Sequence, residues 1–357
     1  MGEVSIPRQE TMNSGKRMFT QAIGQKPDRV PFVISAMGFS ARTVGYPIAS
    51  TYNDPQKSFW AQLWTNEMYG TDGSPLYLMP ASPEFGGEIK FPTNEWEQSP
   101  TLISYPVQSE DDIDKLTIPD IKTAGLYPLA MEFSNLCKEY HMPIQILAGS
   151  PFTKAGTLCG VNNLCRWMMK KPAMAHKLLR FTTDLCLQVV QLWVDTFGAK
   201  RVTPYTAAPT ESNRIISVKQ FEEFAFPYVK ELHEKALAMG VRRFVCHICG
   251  DQNANLPYWS QIPMGFAGMV SFGHEVDLTT AIKYFGDKCI IAGNIEPQVI
   301  QNGTPQQVYE LAKQCIEKAK FAPKGFILMP GCELPPMAPP YNVYMLKKAV
   351  MDFGWYD

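Results

Sequence analysis

At 357 residues and 45% hydrophobic side chains, the chain is long enough to bury one large α/β core or two small ones. Its 33 basic and 34 acidic residues are interspersed and leave a net charge of −1, so no basic footprint points to nucleic acid. Nine cysteines, an odd number without the dense spacing of a disulfide scaffold, fit a reducing cytoplasm.

Residues 1–7 carry no apolar signal core, and no uncharged apolar run is long enough to span a bilayer, so neither secretion nor a membrane is expected. Neither GxGxxG nor a P-loop is present, which leaves nucleotide binding without support. Residues 16–23 read as a helix leading into an apolar first strand at 29–35, and a weaker second strand is expected at 75–79. The stretch 36–140 is longer than one strand-to-helix loop. It is expected to fold as helices and a hairpin over the core, with one hairpin arm at 86–92, in addition to the second strand. A clear third strand at 143–149 precedes helices at 160–169 and 173–197. Strands at 201–206, 243–250, 265–271, 288–294 and 326–332 follow. Helices are expected at 218–239 and 305–320, with a short one between the sixth and seventh strands, and residues 342–352 close the chain. Strands alternating with helices predict an α/β fold with a parallel sheet, most economically one closed (β/α)8 TIM barrel over residues 1–357.

Barrels of this kind carry their active sites at the carboxyl ends of the strands. His247-Ile248-Cys249 closes the fifth predicted strand and Gly331-Cys332 the eighth, so the two ends face each other across the mouth. Side chains two apart on a strand point the same way, about 6.6 Å along it, so His247 and Cys249 can grip one ion. Two thiolates and one imidazole, with a fourth position open, form the ligand pattern of catalytic zinc. Two alternatives stay open. Cys246-x-x-Cys249 also spells a dithiol motif, although redox pairs sit at helix starts and these two face opposite ways on a strand. Buried cysteines and a core histidine would look the same in sequence.

Nearly the whole chain resembles the uroporphyrinogen decarboxylase superfamily, and within it the corrinoid-dependent methyltransferases typified by the methylcobamide:coenzyme M enzymes. The stretches that carry the resemblance are Gly149-Ser150-Pro151-Phe152-Thr153, His247-Ile248-Cys249-Gly250-Asp251, Ile291-Ala292-Gly293-Asn294-Ile295-Glu296-Pro297, Gly331-Cys332 and Pro340-Tyr341-Asn342. The resemblance implies a TIM barrel that binds zinc through His247, Cys249 and Cys332. Two stretches depart from it. The arginine-rich signature with which the decarboxylases hold porphyrin carboxylates is represented after the first strand by Arg42 alone, which argues against tetrapyrrole decarboxylation. The segment after Cys332 is also more apolar than in the coenzyme M enzymes.

Zinc at such a site deprotonates a thiol at neutral pH. The expected activity is therefore methyl exchange between a corrinoid protein and a small methyl donor or acceptor, a thiol acceptor held as zinc thiolate being preferred. The competing direction moves a methyl group from an aryl methyl ether to cob(I)amide, an O-demethylase component. Phe39, Tyr46, Trp60, Trp64, Tyr77 and Phe85 in the cap would suit an arene or simply pack the cap. Without a DxHxxG cobalamin fingerprint, the corrinoid is expected on a separate protein, and a homodimer is left open. Glu211 and His274 are the candidate catalytic residues, and Asn294 and Glu296 the candidate cofactor-binding ones. Glu211, Glu296 and Glu333 are also candidates for the fourth zinc position.

Overall fold

A computed structural model describes residues 8–356. Residues 1–7, read above for their lack of an apolar core, and Asp357 lie outside the described residues. The first helix is Ser14–Ala22, begun by Asn13, whose side-chain oxygen accepts from Lys16 N at 2.9 Å. Helices Gly38–Thr43, Pro55–Tyr69 and Tyr127–Glu139, with the antiparallel hairpin of β1 (Glu88–Lys90) and β2 (Thr101–Ser104), occupy the stretch expected to cap the core.

Six strands then form one parallel sheet in sequence order. They are β3 (Ile144–Leu147), β4 (Val202–Ala207), β5 (Val245–Ile248), β6 (Met269–Phe272), β7 (Ile290–Ile295) and β8 (Phe326–Pro330). β5, β7 and β8 are buried along their whole length, as strands covered on both faces must be. Each connection returns through a helix, the longest being Pro172–Phe197 and the last of them Pro305–Ala319 between β7 and β8.

The two amino-terminal strands expected from the sequence are not ladder strands. Residues 29–35 pair with β8 through a single parallel bridge, Phe32 with Leu328, in which Val33 N donates to Leu328 O at 3.0 Å and Leu328 N to Pro31 O at 2.9 Å. Residues 75–79 belong to no strand. Proline explains both, because Pro31, Pro75 and Pro80 bring no N–H to a ladder. Asp72 N instead donates to Phe32 O at 2.6 Å, and Gln145 Nε2 donates to Ser74 Oγ at 2.9 Å, linking these segments back to β3. Hydrogen bonds thus run from β3 to β8 and return through Phe32, Asp72 and Ser74.

Two helices also differ from expectation. The single helix expected at 218–239 is interrupted by a π turn at Phe221–Ala225 before resuming as Phe226–Ala238, with Pro227 in its first turn and no N–H to continue the ladder. An unforeseen helix, Pro151–Cys159, opens directly after β3. Most of the aromatic residues in this stretch make packing contacts. Phe39 is fully buried against the barrel, Trp60 stacks on Trp64, Phe85 meets Phe181 and Tyr77 donates to Tyr52 O at 2.5 Å.

A buried ion cluster ties the first helix to these weakly paired segments. Arg17 meets Asp28 at 2.7 Å and Asp72 at 2.6 Å, and Arg29 meets Asp72 at 2.8 Å, with Arg17, Arg29 and Asp72 all at most 5% exposed. Asp72 also accepts from Phe32 N at 2.9 Å, so one carboxylate serves two guanidinium groups and the backbone. Removing it takes a buried carboxylate from both cations, leaving Arg17 with Asp28 and Arg29 with the half-exposed Glu10. Asp72→Ala is expected to lower unfolding free energy by about 3–5 kcal/mol, measured by denaturant titration, with loss of protease protection near residue 30.

Candidate metal centre

The register of the sheet sets the first donor. On β5, His247 lies between Ala207 of β4 and Ser271 of β6 and is 7% exposed. Cys249 leaves the strand end, and Gly250, at φ +73°, turns the chain away immediately. Cys332 follows β8 through Gly331, where a Cβ would stand 2.9 Å from His274 N. Glycine there lets the β8 loop close on the β6 loop and carries Cys332 inward.

These positions bring three donor atoms together. His247 nitrogen, Cys249 Sγ and Cys332 Sγ all lie within 4.8 Å of one another. The two sulfurs are 3.8 Å apart. That separation is far beyond a disulfide bond, at about 2.05 Å. It matches two thiolates on one tetrahedral zinc, each about 2.3 Å from the metal and so roughly 3.8 Å from the other. His247 Nδ1 shares a hydrogen bond of 2.9 Å with Ser271 Oγ, while Nε2 is buried without a partner. An unsatisfied buried ring nitrogen costs about 1–3 kcal/mol. A metal at Nε2 would satisfy it, with the serine fixing tautomer and ring orientation. The donor set therefore fits zinc.

The thiols titrate as a pair. The Cys332 thiol is held down at about 4, first by the hydrogen bond from Cys249 and then, against burial, by His247. The Cys249 thiol is pushed far up by the same hydrogen bond, by burial and by the charges of Cys332, Glu275 and Glu211. One proton is shed easily and the second is retained unless a cation takes its place. Cys246 points the other way, fully buried in the core, and burial raises its thiol. All nine cysteines are free, so the Cys246-x-x-Cys249 spacing makes no disulfide.

The other candidates sit around this centre. Glu211 is fully buried but is not in the donor group. It accepts from Ser150 Oγ, from Thr153 Oγ1 at 2.9 Å and from Thr210 Oγ1 at 3.2 Å, and burial raises its carboxyl. Glu333 follows Cys332 and accepts from Gly38 N at 3.2 Å, and burial pushes its carboxyl up to about 7. His274, 39% exposed at the side chain, stands 3.5 Å from Glu275 and 3.9 Å from Glu296. Asn294 Nδ2 donates to Gly273 O at 2.9 Å and Val276 O at 2.6 Å. Its amide is thereby used to shape the β6 loop. His274, Asn294 and Glu296 share a crevice of about 190 Å³ beside the rim with Asp277, Cys315 and Lys318.

Three contributors were not singled out from the sequence. Ser271 is an isolated polar residue in an apolar strand, and only the β5–β6 register assigns it to His247. Gln252 is fully buried, donates to Ala208 O at 3.0 Å and Cys249 O at 3.4 Å, and accepts from Trp259 Nε1 at 2.9 Å. It locks the Cys249 loop to the loop carrying Glu211. Glu275 approaches Gly250, since a Cβ on Gly273 would lie 2.5 Å from Glu275 Oε2 and 2.7 Å from Gly250 N.

The family model for uroporphyrinogen decarboxylase (URO-D) matches residues 13–353. Among curated relatives, the methylated-thiol–coenzyme M methyltransferase of Methanosarcina mazei is 30% identical over 209 residues. That match takes in 57% of this chain and 54% of the relative, so the chain spans about half of that relative's length. A methylcobamide:CoM methyltransferase of Methanosarcina acetivorans is 26% identical over 279 residues, 76% of each chain. A uroporphyrinogen decarboxylase of Chlorobaculum tepidum is 27% identical over 220 residues, 60% of each. Among solved structures, a methyltransferase from Methanosarcina mazei superposes with a TM-score of 0.78 at 22% identity, covering 96% of this chain and 99% of that one.

The purified protein is expected to hold one zinc per chain, measured by elemental analysis. Ser271→Ala should weaken zinc about 10- to 100-fold in chelator competition, and Cys332→Ser should abolish stoichiometric binding.

Proposed function

Because the chain belongs to the uroporphyrinogen decarboxylase (URO-D) family, we propose that it is a zinc-dependent methyltransferase exchanging a methyl group between a corrinoid protein and a small thiol. The observation that carries the reading is the donor set at the strand ends: two sulfurs 3.8 Å apart beside an unpartnered buried imidazole nitrogen. His247, Cys249 and Cys332 are the proposed ligands.

Bound there, zinc supplies the Lewis acidity that makes a thiol deprotonate at neutral pH. The chain's own part is to hold and expose the acceptor. Two anionic sulfurs and a neutral imidazole cancel the ion's charge, so an acceptor sulfur beside them keeps its electron density. Ser271 orients the His247 ring, and Gln252 fixes the Cys249 loop. In the transfer, the acceptor sulfur forms a bond to the methyl carbon and the cobalt–carbon bond breaks. The electron pair stays on cobalt as cob(I)amide, and the thiol proton goes to solvent. Glu211, Glu333 and His274 are the proposed groups for moving that proton or for occupying the fourth zinc position between turnovers. Asn294 and Glu296 are proposed to face the corrinoid along the rim, with the corrinoid carried by a partner protein docked over the mouth.

The reverse direction, from an aryl methyl ether to cob(I)amide, is less well supported. Of the cap aromatics that would have lined an arene site, Trp60 and Trp64 stack on each other, Phe85 packs on Phe181 and Phe39 is buried in the core, and two thiolates blunt a Lewis acid. Decarboxylation of a tetrapyrrole lacks its basic cluster, with Arg42 alone at the position of the arginine-rich signature.

Methylcob(III)alamin with a thiol should give cob(I)alamin in proportion to zinc content, followed by absorbance under anaerobic conditions. Cys332→Ser or chelation should lower that rate at least about 100-fold. Methylation of cob(I)alamin by methoxyarenes, with no thiol-dependent demethylation, would establish the ether reading instead.

A further inference from the structure

The amino-terminal ends of β6, β7 and β8, opposite the metal centre, border a second cavity. Helix Ser14–Ala22 packs at this end, with Met18 against a cluster that includes Ile290 and Ile327. Beside it, a cavity of about 300 Å³ opens between the end of that helix, the loop at 265–267 ahead of β6, and the turns at 287–288 and 324 ahead of β7 and β8. That volume lies at the small end of ligand pockets, which run from about 300 to 1,000 Å³.

Gln21 lines this cavity with a side-chain amide that has nothing to bind. It is 3% exposed, and neither Oε1 nor Nε2 has a hydrogen-bond partner among the described residues. Gly325, at φ +98°, makes room for it, because a Cβ there would stand 2.8 Å from Gln21 Cγ and 2.9 Å from its Cδ. Buried polar groups are nearly always paired. An acceptor and a donor left side by side are met together by a molecule that carries its own donor and acceptor on one edge, as a lactam or a primary carboxamide does.

The rest of the lining favours a flat body. Phe266, 74% exposed, and Ile23 offer an aromatic face and an aliphatic edge at the opening, and a ring can stack there. The rim carries charges of both signs, Asp287 beside Lys324 and Lys288, the last donating to Ser260 O at 3.0 Å. Hydrogen bonding by the amide, rather than net charge, therefore sets the ligand class.

We propose that this cavity binds a flat lactam or carboxamide heterocycle of one or two rings, whose hydrogen-bonding edge pairs with the Gln21 amide while Phe266 covers its face. The site is separate from the metal centre, and the inference does not rest on the thiol reading.

Uracil and nicotinamide titrated into the zinc-loaded full chain, followed by saturation-transfer NMR, are expected to bind with Kd of about 0.1–10 mM, the range open to ligands of so few atoms. 1,3-Dimethyluracil and N,N-dimethylnicotinamide keep the ring but lose the N–H donors, and should bind at least about tenfold more weakly. Gln21→Leu should weaken uracil by a similar factor and Phe266→Ala several-fold, with zinc content and methylcobalamin demethylation unchanged in both. Equal binding of the methylated compounds, or binding indifferent to Gln21→Leu or to Phe266→Ala, would overturn the inference. Absence of saturable binding by uracil and nicotinamide would overturn it as well, leaving water as the partner of the amide. Should Gln21→Leu fail to fold, the methylated pairs and the exposed Phe266 still decide.

Discussion

The site depends on the approach of two strand ends that lie 83 residues apart in sequence, Cys249 after β5 and Cys332 after β8. Nothing local forces that approach. It follows from a parallel sheet that curves until its fifth and eighth strands share one mouth, with the ring of hydrogen bonds returning through Phe32, Asp72 and Ser74. Close backbone packing completes it, because Gly331 and Gly273 each sit where a Cβ would meet the neighbouring loop. A side chain at either would push the rim outward, and a shift of about 1 Å matters for donors that must stand about 2.0–2.3 Å from a metal.

Much of this was legible in the sequence. β3, β5, β7 and β8 announce themselves as short apolar runs, and the helices between them carry amphipathic patterns. The His-x-Cys spacing on a strand and a second cysteine at a later strand end mark the three side chains that the fold brings within 4.8 Å of one another. The amino-terminal staves were the failure. Apolar periodicity marked residues 29–35 and 75–79 as strands, but prolines deprive them of ladder donors, and Asp72 replaces part of the pairing with a buried ion cluster. The residues around these three side chains were hidden. Ser271, Gln252 and Glu275 act across strand registers and loop contacts, which one sequence does not encode as spacing. Glu211 was noticed for its position at a strand end, but its cage of hydroxyls from Ser150, Thr153 and Thr210 draws on a helix that periodicity did not suggest.

As the proposed ligands, Cys249, Cys332 and His247 would neutralise a divalent cation and leave a centre without net charge. The loops around it carry Glu211 and Glu333, whose carboxyls burial raises. Family membership supplies the scaffold, while substrate choice resides in these loops, where the chain carries Arg42 in place of an arginine-rich signature.

X-ray absorption at the zinc edge, recorded with and without a bound thiol, tests the central claim most directly. The account predicts two sulfur scatterers near 2.3 Å with nitrogen or oxygen completing four ligands, and three sulfurs once thiol is added. A first shell that ignores thiol, or one lacking the two cysteine sulfurs, would contradict it.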